Sequence, residues 1–447
     1  MNTGGAADRI DALAQRFGSR FERQPDVIVR APGRVNIIGE HTDYNGLPVL
    51  PMAIDREVVV ATARRSDRRV RLENVDPRYE PRDYQLQAGI RRFAAGDWGN
   101  YHKAAAQGLL AALGPETLRG ADVLVEGDIP PGGGLSSSSA LVVGSALALL
   151  AVNDRNLPPL RLAELMAMAE RYVGTQSGGM DQAACLLGES GHALHINFDP
   201  LDVRAVSIPE GCAFVVCHSL SNAEKSGAAR AAYNGRVVEC RLACRVFECV
   251  LGAGLPRPLA TLGELARLFP DRALADFSAI LENVLPPRPL RLDEIAERIG
   301  TRSDNLAAEL GPDARPNATY AIVQRARHVF SEAARVEQAE AALRAGDWLR
   351  LSALMDASHA SCRDDYAVSS PALEELVGAA KAAGAIGARL TGAGFGGCTI
   401  NLVPGEDVAL FRTKMERSFY QTKPAELRRP DHCFVVTPSA GASVKRV

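Results

Sequence analysis

Pro130-Pro131-Gly132-Gly133-Gly134-Leu135-Ser136-Ser137-Ser138-Ser139-Ala140 runs without a break into the apolar Leu141-Val142-Val143. The residues just before it, 121–126, read as a strand, and the apolar run after it predicts a long helix starting near Ser136. The stretch therefore reads as strand, glycine turn and helix. Glycines let backbone N–H groups come close to a ligand, and a helix N-terminus favours an anion. The serines suit a helix cap, and a hydroxyl there also suits Mg²⁺. An ordinary glycine turn with a serine cap explains part of the pattern, but three glycines followed by four serines exceed what capping requires. No Lys follows the glycines, so the loop is not of the G-x-x-x-x-G-K-[ST] kind, and the H-R-D and D-F-G motifs of protein kinases are absent.

Upstream, Ile10, Leu13 and Phe17 recur at helical spacing and predict a helix over 6–21. Short β-branched runs at 27–29, 35–38, 58–60 and 70–75, separated by Pro, Gly, Asn and Asp, read as strands and turns, with a helix at 101–113. Downstream, 160–173, 222–251, 320–345 and 371–383 read as helices, and 195–198, 203–208, 213–217 and the glycine-interrupted 388–403 as strands. The stretch 252–316 places many prolines between short helical pieces and reads as a helical insertion or surface elaboration. The mixture predicts an α+β protein of two lobes, residues 1–209 and 210–447, the second carrying the insertion.

Two further segments carry chemistry. Gly33-Arg34-Val35-Asn36-Ile37-Ile38-Gly39-Glu40-His41-Thr42-Asp43-Tyr44-Asn45 leads a strand into a loop with Glu, His and Asp within four residues. Charged acceptors on one loop suit a polyol, whose hydroxyls donate and accept. From residue types alone, a polar turn whose Asp and Asn cap the backbone accounts for it equally well. Thr391-Gly392-Ala393-Gly394-Phe395-Gly396-Gly397-Cys398 reads as a glycine-rich strand–turn–strand, and a tight hairpin beside the core explains it as readily as a ligand does.

The chain has 447 residues, 47% hydrophobic and 23% charged, which fits a sizeable core and two to three domains. Its 51 basic and 53 acidic residues leave a net charge of -2, so nucleic acid and anionic membranes are not expected partners. The nine cysteines include no C-x-x-C pair and read as reduced, mostly buried thiols. Met1 to Arg9 shows no signal peptide, and the most apolar run, 140–152, is too short for a bilayer of roughly 30 Å. A cytoplasmic location is expected.

Together these segments resemble the GHMP kinase superfamily and, within it, the galactokinases. The first lobe's Gly33 to Asn45 matches the signature G-R-V-N-[LI]-I-G-E-H-T-D-Y-N throughout. Residues 130–140 resemble the superfamily's phosphate loop, and 391–398 its C-terminal glycine motif. Gly178-Gly179-Met180-Asp181-Gln182 is similar to the stretch that carries the family's catalytic Asp. The likeness continues through Tyr233-Asn234, Arg325-Ala326-Arg327-His328 and Ser358-His359-Ala360-Ser361-Cys362-Arg363-Asp364, nearly the whole chain, and is weakest over 252–316.

The resemblance implies a two-lobed GHMP kinase fold with the active site in the cleft between lobes, and phosphorylation of the anomeric hydroxyl of galactose by Mg²⁺-ATP. It implies Asp181 as catalytic base and Arg34 as the cation beside it. Glu40, His41, Asp43, Gly178 and Tyr233 match sugar-binding positions. Gly132, Gly133, Gly134, Leu135, Ser136, Ser137 and Ser138 would hold the nucleotide phosphates, with the Ser138 hydroxyl on the Mg²⁺ side. Glu170 is a metal-side carboxylate in this scheme, a solvated helix residue otherwise, and a buried structural ion pair is the plain alternative for Arg34 and Asp181. The sugar loop favours galactose. Gly178-Gly179-Met180, residues 236–243, Ser361-Cys362-Arg363 and Ser139-Ala140-Leu141-Val142 are closer to N-acetylgalactosamine kinases, and L-arabinose is a third candidate. A non-catalytic galactose sensor is the alternative class, against which the intact serine loop, Arg34 and Asp181 argue.

Overall fold

The amphipathic stretch at the start of the chain does form a helix, α1 (Ala6–Phe21), in the computed structural model, which describes residues 6–221, 227–252, 255, 258–315, 317–428 and 431–447. The absence of a signal peptide was read on Met1 to Arg9, of which residues 1–5 lie outside the described ones, as do 222–226 of the expected helix 222–251. The chain divides into two units: Met1–Val35, Met52–Ala193 and Val436–Val447 form one, Asn36–Pro51 and Leu194–Val435 the other.

In the first unit, Leu13, Phe17 and Phe21 of α1 pack on Ile28, Val59, Ala61, Ala63 and Leu124. Each such large apolar side chain stabilises the fold by about 1.5–3 kcal/mol when fully buried. The runs at 27–29 and 35–38 are not separate strands but one twelve-residue strand, β1 (Val27–Ile38), that passes straight through Pro32 and Gly33. The glycine serves close approach here, not a turn. A Cβ at Gly33 would lie 2.7 Å from the carbonyl oxygen of Leu135, and the next residue, Arg34, donates its backbone N–H to that same oxygen at 3.2 Å. The glycine–serine loop is thus laid directly on β1.

Next come β2 (Leu50–Arg64), β3 (Arg69–Asn74), β4 (Arg82–Gln85), α2 (Gly99–Leu113) and β5 (Ala121–Gly127). The six-stranded sheet runs C-terminal strand (Ser443–Arg446), β1, β2, β5, β3, β4. Val27 pairs with Arg446 antiparallel, and β3 runs parallel to β5. Beyond the glycine loop, α3 (Ser137–Val152) is apolar on nearly every side and is buried by α2, α4 (Pro159–Glu170) and α5 (Met180–Leu187). The helix expected to reach 173 is α only to Glu170. A 3₁₀ turn, Arg171–Val173, follows and Gly174, in the left-handed region, ends it.

The second unit holds β6 (His192–Asn197), β7 (Asp202–Ser207), β8 (Cys212–His218) and α6 (Ala228–Leu251). The proline-rich stretch is four short helices and two bridging strands: α7 (Gly263–Leu268), α8 (Leu274–Val284), β9 (Leu290–Arg291), α9 (Leu292–Arg298), α10 (Ser303–Leu310) and β10 (Thr319–Tyr320). It is more than surface elaboration. Leu262, Leu265, Phe277, Leu281, Leu292 and Ile295 are fully buried, and the Phe277 ring packs against Phe247 of α6 and against Phe330. α7 also touches the loop that follows β1: Gly263 has no room for a Cβ against the Gly46 carbonyl, and Arg267 donates to that carbonyl at 3.3 Å.

The chain continues through α11 (Ile322–Ala345), α12 (Trp348–Asp364), α13 (Pro371–Ala383), β11 (Gly387–Leu390), β12 (Cys398–Pro404), α14 (Val408–Ser418) and β13 (Cys433–Val436). α13 is fixed at both ends by sequence: Ser370 accepts the Leu373 N–H, Pro371 takes the first turn, and Gly384 leaves in the left-handed region. The strands order as β11, β12, β8, β13, so the glycine motif at 391–398 is the connection between β11 and β12 at one edge of this sheet. All nine cysteines are free thiols, as expected. No helix among the described residues is long and apolar enough to cross a membrane.

Candidate active site

In the first unit, the β1 strand carries Arg34 to the foot of the glycine loop. Its Nη1 donates to the Gly134 carbonyl at 2.5 Å, while Nε and Nη2 reach Asp181 Oδ1 at 2.7 and 2.6 Å. Asp181 sits in the first turn of α5, where the N-terminal dipole also favours a carboxylate. The other Asp181 oxygen lies 3.4 Å from Ser139 Oγ. That hydroxyl has one proton and gives it to the nearer acceptor, Glu170 Oε2 at 2.7 Å, to which Gln182 Nε2 also donates at 2.5 Å. Glu170 is 3% exposed, so it is not a solvated helix residue.

The loop itself does not close its helix in the way serine capping predicts. Gly132 and Gly134 take positive φ, and Ser136 is held at φ 60°. The Ser136 side chain does not cap the start of α3, and among the described residues its buried hydroxyl makes no hydrogen bond. Polar groups buried without partners are rare, and at a helix N-terminus they fit an anion's oxygens. Ser137 and Ser138 begin α3, both half-buried. Gly133 is buried and donates to the Pro130 carbonyl at 3.2 Å, and Leu135 is buried. Gly178 stands half-buried three positions before Asp181.

The remaining sugar-loop residues lie in the second unit. Glu40 is 2% exposed; its Oε1 accepts the Gly392 N–H at 2.8 Å and Arg389 Nη1 at 3.3 Å. The glycine motif therefore meets the sugar loop through a backbone amide. Arg389, with no exposed surface, also donates to the carbonyls of Asn36 at 3.0 Å and Ile37 at 3.3 Å. Asp43 is half-buried at the head of a 3₁₀ turn, Asp43–Asn45, whose Asn45 amide donates back to the His41 carbonyl.

His41 is ringed by Tyr44, Tyr233 of α6 and Tyr366, with centroids 5.8, 5.4 and 4.8 Å away. Its Nε2 lies 3.2 Å from the Ala393 carbonyl, which can only accept, so Nε2 carries the proton. Burial, chiefly, and then the nearby His328 lower the His41 pKa to about 3, despite the Ala393 carbonyl. The ring is neutral and its Nδ1 accepts from the Tyr44 hydroxyl at 3.0 Å. Tyr44 must then accept from Tyr366 at 2.6 Å, and Tyr366 from the Cys240 thiol at 3.3 Å. Both ring nitrogens of His41 are engaged within this chain of bonds.

These buried rings predict acid sensitivity. Burial lowers His41 to about 3, and His102 and His328 to about 4, from an ordinary 6.5. Between pH 6.5 and 4 the unfolded chain binds protons that the folded one refuses, so stability rises with pH there and is lost as pH falls. The thermal midpoint should drop steeply from pH 7 to pH 4.5, with a total loss on the order of a few kcal/mol. A midpoint that stays level across this interval would show that the rings titrate freely in the fold.

Sequence reading did not single out Ser139, Gln182, Glu332, Tyr366 or Arg389 as site residues. Ser139 is one of four identical neighbours, and only the rotation of α3 picks it. Gln182 had a signal, since it ends a stretch already read as functional.

Known proteins fit this geometry. Residues 100–189 match the GHMP kinases N terminal domain and 339–421 the GHMP kinases C terminal domain, which defines a small-molecule kinase fold. Residues 15–64 match the galactokinase galactose-binding signature. A galactokinase from Roseiflexus sp. (strain RS-1) is 40% identical over 411 residues, 91% of each chain. One from Chloroflexus aggregans is 39% identical over 97% of each. The crystal structure of Lactococcus lactis galactokinase complexed with galactose superposes with a TM-score of 0.77 at 28% identity, covering 97% of this chain and 99% of that one. The chain belongs to the galactokinase family.

Proposed function

We propose that this protein transfers the γ-phosphoryl group of ATP to the C1 hydroxyl of galactose, giving galactose 1-phosphate and ADP. The observation that carries the proposal is the Arg34–Asp181 pair, bonded to the Gly134 carbonyl of the glycine loop. A sugar hydroxyl is a weak nucleophile at neutral pH, and a carboxylate that takes its proton helps it attack. The C1 oxygen forms the new bond to the γ-phosphorus, the bond from that phosphorus to the β,γ-bridging oxygen breaks, and the hydroxyl proton passes to Asp181. Arg34 orients Asp181 and offsets charge that develops on the phosphoryl oxygens.

The uncapped start of α3, with Gly132, Gly133, Gly134, Leu135, Ser136, Ser137 and Ser138, serves the nucleotide phosphates. The donors around Glu170 fit Mg²⁺: a buried carboxylate bonded to the Ser139 hydroxyl, with the Ser138 hydroxyl one position earlier on α3, offers oxygen ligands for a hard cation. When bound, Mg²⁺ supplies charge neutralisation to the phosphates. Glu40, His41, Asp43 and Tyr233, with Gly178, serve the sugar. Because both His41 nitrogens are engaged, its part is to shape the loop while Asp43 offers the charged acceptor. The free thiols and the lack of a spanning helix among the described residues support a cytoplasmic enzyme.

A coupled ADP-release assay with Mg²⁺-ATP tests this against galactose, N-acetylgalactosamine, L-arabinose and glucose. Turnover on galactose is expected at about 1–100 s⁻¹, well above the other three. Preference for N-acetylgalactosamine would keep the transfer and move the sugar; silence on all four would reject the enzyme.

A further inference from the structure

Gly39 and Glu40 stand where β1 gives way to the sugar loop, and their peptide N–H groups converge on one atom. Glu332 Oε1 lies 2.9 Å from Gly39 N and 3.3 Å from Glu40 N. The same oxygen accepts the Ser358 hydroxyl at 2.5 Å, and Glu332 Oε2 accepts Arg335 Nε at 2.7 Å. Glu332, on α11, has no exposed surface, and Ser358 on α12 is equally buried. Successive N–H groups turn toward one anion when a residue takes the left-handed region, and Gly39 has φ 103°. A Cβ there would also sit 2.8 Å from Val49 Cα. On the next peptide along, Glu40–His41, His328 Nε2 lies 3.0 Å from the Glu40 carbonyl and, facing a pure acceptor, donates to it.

We infer that Glu332 is a positioning residue for sugar binding: its carboxylate fixes the Gly39–Glu40 peptide and thereby the direction in which the loop presents its side chains. The inference rests on the reading that this loop binds galactose. Four donors meet one side chain, and only an ionised carboxylate accepts from all of them. Burial pushes Glu332 up, but Arg335, then His328, Arg389 and the Ser358 hydroxyl outweigh it and hold the group at about 2. A glutamine of the same shape puts an NH₂ either against the two peptide N–H groups and the serine, or against Arg335. Either way a donor faces a donor.

The plainer role is an ion pair that stabilises the helix, since Glu332 and Arg335 are three apart on α11. The two roles differ in what they move. A lost helix pair lowers the thermal midpoint and the active fraction, and leaves both KM values alone. A misdirected loop raises the KM for galactose and spares that for ATP.

Steady-state kinetics and thermal midpoints of wild type, Glu332→Gln and Ser358→Ala make the test. Ser358→Ala removes a single donor and leaves no charge unpaired, so it carries the test if Glu332→Gln fails to fold. Glu332→Gln should raise the galactose KM about tenfold or more, with the ATP KM within about twofold of wild type. Ser358→Ala should raise the galactose KM by about threefold. An active wild type with the galactose KM unmoved in the soluble variants overturns the positioning role alone. A wild type inactive on galactose removes the functional reading, and this inference with it.

Discussion

Replacing Asp181 by asparagine is expected to lower kcat on galactose by about 10²–10⁴-fold, the span that a positioned general base contributes. The substitution keeps the shape and removes the charge and the basic oxygen. Arg34 loses its counter-ion but retains the Gly134 carbonyl, so the glycine loop keeps its tether to β1. Nucleotide affinity, followed by displacement of a fluorescent ATP analogue, should therefore change little. The converse variant, Arg34→Met, removes the cation and leaves the Asp181 carboxylate in place beside the buried Ser139 and Glu170. Turnover by Asp181→Asn within about tenfold of wild type would remove Asp181 from the role of base, since proton transfer then costs the enzyme too little.

The second large effect concerns folding. Arg389 and Glu40 are an ion pair with almost no access to water, and removing one partner of such a pair costs about 3–5 kcal/mol because the other charge is left behind. Arg389→Met should lower the urea midpoint sharply and reduce the soluble yield, since the carbonyls of Asn36 and Ile37 lose a donor as well. The pairing Arg389→Met with Glu40→Gln should recover much of that loss, because the stranded carboxylate is gone. It should not recover sugar affinity. If the double variant is no more stable than Arg389→Met alone, the ion pair is not what the single substitution breaks.

Local features of the chain were legible in the sequence because they follow local rules. The spacing of Leu13 and Phe17 yields α1, and the glycines and serines at 132–139 yield a strand–turn–helix. The loop residues Arg34, Glu40, His41 and Asp43 stand in one stretch, so a reader meets them together. What was missed depends on partners far along the chain. Pro32 and Gly33 look like a break, yet β1 continues through them because Leu135 closes on the glycine a hundred residues later. α12 did not read as a helix because Ser352, Ser358, His359 and Ser361 interrupt its apolar stripe. Ser358 and Ser361 face inward because α11 presents Glu332 and His328 to them. Glu332 and Arg389 look like ordinary surface charges in a string of letters, and only the fold buries them. The pairing of Val27 with Arg446 joins the two ends of the chain, and no local pattern announces it.

The chain of bonds from the Ala393 carbonyl through His41, Tyr44 and Tyr366 to Cys240 has a direction set at one end. Reversing it would require every proton along the line to move together, and the first has nowhere to go, because a carbonyl gives nothing back. The imidazole of this loop thus stays neutral, and deaf to pH, across the neutral range. In the proposed reaction, a curve relating rate to acidity is then written by groups other than this ring. On that proposal, choice of sugar and timing of proton transfer are separate traits, so selection can retune one for a new substrate without disturbing the other.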